Sequence, residues 1–112
     1  MNQRTPVEYL ASLRQENIPY LVSGEERVDL RAVMGKLRTL LGIERLVSTA
    51  GGRLNGALLR AGLVDAVSIV FFPALIGGFA TPALFDSPDL KAEEWPTRLE
   101  LISAQVQAGG KV

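Results

Sequence analysis

The sequence predicts an α/β domain in three layers, with helices on both faces of a mainly parallel sheet. Three observations carry that expectation. Apolar periodicity switches repeatedly between helical and extended along the chain, the connections between segments are short, and Ala66 to Phe72 is an uncharged run rich in β-branched and aromatic residues, as in a strand covered on both faces. Strands that alternate with helices through short links form right-handed βαβ units around a parallel sheet.

Thr5-Pro6 supplies a capping residue followed by a proline suited to the first helical turn, and Val7, Leu10 and Leu13 then recur at near-helical spacing up to about Gln15. Ile18 to Val22 is a short β-rich run closed by Ser23-Gly24. Asp29 is a good N-cap for the next segment, where Leu30, Val33, Met34, Leu37, Leu40 and Leu41 make one apolar stripe and Gly42 provides the stop. Arg45 to Thr49 reads as a strand and Gly51-Gly52 breaks it. A third helix is marked by Leu54, Leu58 and Ala61 and ends at Gly62.

The last third changes character. Pro73, Pro82, Pro88 and Pro96 punctuate an irregular stretch over 73–97, and loops of that length in a compact domain are functional or disordered. Arg98 to Gln107 resumes extended character. Ala108 to Lys111 is a hairpin turn signal, because Gly-Gly takes the positive φ that a type I′ turn needs. Only Val112 follows, so the reading expects residues 1–112 to be one domain that is incomplete at its C-terminal edge.

Composition narrows the chemistry. The 112 residues include no His and no Cys, which removes zinc fingers, His-based zinc catalysis, Ser-His-Asp and Cys-His nucleophiles, iron–sulfur clusters and disulfide frameworks. No metal site is expected. Twelve Lys and Arg balance twelve Asp and Glu, leaving no positive footprint for nucleic acid or an anionic membrane. The uncharged stretch from Ala66 to Phe85 is long enough to span a bilayer but is interrupted by Pro73, Gly77, Gly78, Thr81 and Pro82, so it reads as a strand and a loop. No signal peptide opens the chain, and a cytoplasmic location is expected.

The strongest chemical motif runs from Val47 to Gly56. A strand leads through Gly51-Gly52 into a helix, so unpaired amides at the helix start face outward at the carboxyl edge of the sheet. Such a terminus favours anions, and glycine lets a ligand approach the backbone closely. The spacing is neither the dinucleotide G-x-G-x-x-G, because Arg53 stands where its second glycine belongs, nor a P-loop. On spacing alone the glycine pair could equally serve only to reverse the chain.

The block Thr49 to Asp65, followed by a strand, then by Pro73 to Gly78 and later Leu84-Phe85, resembles the C-terminal half of the riboflavin-biosynthesis pyrimidine reductases. These are the reductase domains of the bifunctional deaminase/reductase family, built on the dihydrofolate-reductase-like fold. The similarity covers about Pro6 to Val112, and its core is the block Gly52 to Asp65. It implies an NADPH-dependent reduction of the ribosyl group of 5-amino-6-(5-phosphoribosylamino)uracil or a related pyrimidine to ribityl; separately, unpaired sheet edges lead to the expectation of a homodimer. It further implies that Gly51, Gly52, Arg53, Leu54, Asn55 and Gly56 contact the phosphate-bearing part of NADPH. Thr49 occupies a substrate-contacting position that is commonly acidic in the family, and Ala50 takes the first place of a frequent glycine triplet.

Other residues have plainer readings. Ser23-Gly24 ends a strand on the same predicted edge and is a weaker cofactor contact. Asp65 caps a turn or pairs with Arg60 or Arg45. Pro73 and Gly77-Gly78 shape a pocket wall, Glu25 to Arg27 and Lys91 to Glu94 are solvated charge runs, and Trp95 is a packing anchor. The catalytic proton donor is not legible. Family reductases also have an N-terminal half with further strands, so the reading expects a fragment, a domain lacking flanks or an extensively dimerising chain. The competing reading is a non-catalytic nucleotide-binding or dimerisation module that keeps half the fold.

Overall fold

A computed structural model describes residues 1–78 and 80–106. It contains three helices, α1 (Val7–Gln15), α2 (Leu30–Leu41) and α3 (Gly52–Arg60). They fall into two units, Met1–Thr49 with α1 and α2, and Ala50–Val112 with α3.

In the first unit, α1 begins one residue later than its sequence signal. Pro6 takes the N-cap position with ψ 138, and the Thr5 hydroxyl donates to the Asn2 carbonyl instead of capping the helix. The predicted Thr5 cap is therefore corrected: the hydroxyl is spent on the turn before the helix. At the other end Asn17 adopts φ 52, while its N–H donates to Arg14 and that of Ile18 to Leu13. This is a Schellman closure with asparagine in the left-handed place. Leu13 is the buried residue of α1.

Helix α2 follows its sequence signals closely. The Asp29 carboxylate accepts the Ala32 N–H at 2.9 Å, and Gly42 at φ 64 closes the helix. Its stripe is only partly covered: Leu30, Val33, Met34 and Leu37 are half-buried, whereas Leu40 and Leu41 are exposed. The turn before α2 is pinned at Ser23, which is buried, and at Gly24, where φ is 82 and a Cβ would strike the Arg27 carbonyl.

The expected strands do not form a continuous ladder among the described residues. A single pairing exists beside the Ile18 to Val22 segment. Met1 donates to the Leu21 carbonyl and accepts from the Ser23 N–H. It thus takes both bonds from the two neighbours of Val22, which is the alternation of a parallel pair. Ala66 to Phe72 departs from its expectation of coverage on both faces, because Val70, Phe71 and Phe72 are 67%, 63% and 67% exposed. The Ala74 N–H donates to the Phe72 carbonyl, a γ-turn about Pro73 that ends the run. The end of the Arg98 to Gln107 segment and the 108–111 turn lie outside the described residues. No helix among the described residues is long and apolar enough to cross a membrane.

In the second unit, α3 starts at Gly51 (φ −71, ψ 171). It ends in another Schellman closure, with Gly62 donating to Leu59 and Leu63 to Leu58. Gly62 is left-handed at φ 64, as its place after the last periodic residue predicts. Leu58, Gly52 and Gly56 are the buried residues of this helix; Gly52 and Gly56 share a face at i and i+4, and Leu58 lies on another side.

Candidate functional site

The site grows from the first turn of α3. An α-helix leaves its first amides without intrahelical partners, and here those of Gly52, Arg53 and Leu54 have no hydrogen bond among the described residues. The first backbone bond of the helix is donated by Asn55, to the Gly51 carbonyl at 3.2 Å. The Asn55 side chain also reaches back to the Ala50 carbonyl at 2.8 Å, which holds the entry loop against the helix.

The two glycines of the junction are there for different reasons. Above Gly51 the space is open and φ is ordinary, so neither the turn nor the packing requires glycine. A Cβ on Gly52, by contrast, would collide with the Ala83 carbonyl and the Asp86 carboxylate, and one on Gly56 with the Asp86 backbone. These two glycines, one helical turn apart, form the seat on which residues 83–86 lie. Asp86 fastens that seat, its N–H donating to the Gly52 carbonyl at 3.0 Å and its Oδ1 accepting the Ala83 N–H at 2.8 Å.

The result is a recess of about 400 Å³ lined by Gly51, Gly52, Arg53, Leu54, Pro82 and Asp86. Four of the six predicted cofactor-binding residues of the block thus share one surface. Asn55 and Gly56 have packing tasks instead, the first propping the entry loop and the second receiving Asp86. The predicted wall at Pro73 and Gly77-Gly78 is replaced by Pro82 and Asp86. Electrostatically the recess combines the Arg53 guanidinium, the Asp86 carboxylate and the positive end of α3. A helix start carries roughly half an elementary charge, which tips the balance toward an anion.

Asp86 escaped the sequence reading because it is a lone carboxylate in a proline-rich stretch without a motif. The available signal was the i, i+4 spacing of Gly52 and Gly56, which says that something must approach the helix backbone there. Ser23 and Gly24 lie in the first unit, where their backbone groups are engaged with Met1, Gln3 and Asp29. Thr49 is exposed and ends that unit. Arg60 pairs with Glu94 at 3.3 Å, not with Asp65, because segment 87–94 packs along its side of α3. Glu26 and Glu94, expected in solvated runs, both hold ion pairs, Glu26 with Arg4. Trp95 is 84% exposed and anchors no core. Among the described residues no cluster of carboxylates could hold a metal ion.

The chain is also similar to known proteins. Over 101 residues the chain is 35% identical to the 2,5-diamino-6-ribosylamino-4(3H)-pyrimidinone 5′-phosphate reductase of Methanothermobacter thermautotrophicus, covering 90% of this chain and 46% of that protein. Identity to the reductase of the same name from Archaeoglobus fulgidus is 40% over 65 residues, 58% of this chain and 29% of the relative. For the Aquifex aeolicus reductase it is 27% over 89 residues, 80% of this chain and 39% of the relative. The chain therefore spans less than half the length of these relatives. The family model of the RibD C-terminal domain matches residues 1–112, the whole length, and the chain belongs to that family.

Proposed function

We propose that this chain is the cofactor-binding portion of an NADPH-dependent reductase acting on a pyrimidine ribosylamine phosphate. The observation that carries the reading is the set of three amides at Gly52, Arg53 and Leu54, without a partner among the described residues, at a recess beside an arginine. Helix starts of this kind bind phosphate. The exposed Gly51, whose glycine identity nothing among the described residues demands, supports a ligand that approaches the backbone from outside.

The names of the relatives favour 2,5-diamino-6-ribosylamino-4(3H)-pyrimidinone 5′-phosphate as substrate over the uracil compound. Bound here, NADPH supplies a hydride that, with one proton, converts the ribosyl group to ribityl and leaves NADP⁺. The protein's share is binding and orientation. The amides of Gly52 to Leu54 and the Arg53 guanidinium hold the cofactor phosphates, while Pro82 and Asp86 wall the recess. Thr49 contributes an uncharged hydroxyl to substrate binding. The architecture that suits this role is the dihydrofolate-reductase-like three-layer sandwich, in a cytoplasmic homodimer.

Titration with NADPH, followed by cofactor fluorescence, tests the proposal directly. A saturable response is expected, to be abolished by Gly51→Asp, which places a carboxylate in the recess without touching the Asp86 seat. No response at millimolar NADPH would remove the reading for this chain.

A further inference from the structure

Arg60 stands at the opposite end of α3 from the recess, about 12 Å away at 1.5 Å per residue. Its guanidinium reaches three acceptors on one segment: Ser87 Oγ at 3.4 Å, the Pro88 carbonyl at 2.5 Å and Glu94 Oε2 at 3.3 Å. Glu94 is itself held in place, because the same oxygen accepts the Lys91 N–H at 2.9 Å and the Glu94 N–H returns to the Lys91 carbonyl at 2.9 Å. Residues 83–94 are thus a strap fastened to α3 at two points, on the glycine seat through Asp86 and at the last turn through Arg60. Asp86, one of the two wall residues of the recess, directly precedes Ser87 and Pro88, which Arg60 grips.

We propose that Arg60 is a positioning residue for the recess: by gripping residues 87–94 it keeps Asp86 seated on Gly52 and Gly56 and so sets the wall against which the anion binds. The importance of that wall rests on the ligand reading above. The grip itself does not. Three acceptors in different directions match a planar guanidinium with five N–H donors, whereas a lysine concentrates its donors on one nitrogen. An ion pair this exposed, with side chains 33% and 44% accessible, contributes little to global stability. Its effect is therefore local, on the register of the strap.

Amide hydrogen exchange of the ligand-free chain separates this role from a general structural one. The reporters are the Ala83 and Asp86 amides, which donate to Asp86 Oδ1 and the Gly52 carbonyl. Arg60→Ala is expected to speed both about tenfold through local opening while leaving Leu58 and Leu59 inside α3 within about twofold, with Arg60→Lys in between. In parallel, Arg60→Ala should weaken NADPH binding by about tenfold, with the loss tracking exchange at Asp86 across the variants. Unchanged exchange at Ala83 and Asp86 would overturn the proposal, as would equal acceleration throughout α3. A wild-type chain that ignores NADPH sinks the ligand reading alone, since the exchange comparison still decides what Arg60 holds.

Discussion

At the scale of single residues, adjacent glycines with the same spelling do different work. Gly51 has ordinary dihedrals and open space above it, so Gly51→Ala should leave thermal stability unchanged or raise it by about 0.4–1 kcal/mol through the unfolded state. On the proposed function, the same change should weaken NADPH binding, because the new methyl group would stand where the phosphate is proposed to approach. Gly52→Ala forces a Cβ into the Ala83 carbonyl and the Asp86 carboxylate, and overpacking of that kind costs about 1–3 kcal/mol. Chemical denaturation with and without NADPH distinguishes the two. If Gly52→Ala proved as stable as the wild type, the seat for Asp86 would be wrongly placed. The glycine pair stood out in the sequence as a candidate site, but the division of labour within it was not legible there. It depends on residues some thirty positions later, brought to α3 by folding.

At the scale of elements, the helices were legible because their signals are local. Periodicity, Asp29 and the terminal glycines all act within one turn of the helix they define. Removing the Asp29 cap with Asp29→Ala should cost about 1 kcal/mol, and Gly42→Ala about 1–2 kcal/mol, because alanine must enter the left-handed region there. Thermal unfolding followed at 222 nm reads both. Equal melting of Asp29→Ala and wild type would show that the cap contributes nothing to α2. The strands were less legible for the opposite reason. Extended segments obtain their hydrogen bonds from distant partners, so the composition of Arg45 to Thr49 or Ala66 to Phe72 specifies a willingness to pair without supplying the neighbour. Only at Val22, where Met1 comes alongside, does such a neighbour stand in place among the described residues. The Thr5 error has a similar origin: a hydroxyl next to a helix start can serve the preceding turn equally well.

At the scale of the whole molecule, the dominant fact is uncovered apolar surface. Val70, Phe71, Phe72, Leu75 and Ile76 are all more than 60% exposed, within a chain of zero formal net charge and pI near 6.2. Contiguous patches of this kind mark association surfaces, and a protein without net charge lacks the repulsion that keeps copies apart. Light scattering should therefore show concentration-dependent self-association, strongest near pH 6.2 and reduced by a Phe71→Lys, Phe72→Lys double variant. A monomer at every concentration and pH would contradict the proposed homodimer. Among the many descendants of such a fold, the glycine junction of α3 offers a different kind of record. If a ligand is what holds Gly51 to glycine, a lineage that lost that ligand would leave Gly51 free to drift to alanine or serine. Gly52 and Gly56 would remain under the packing constraint of the seat for Asp86. Gly51 and Gly52 would then carry two separate records in one dipeptide, and a genome survey comparing them would date the loss of the ligand separately from the loss of the fold.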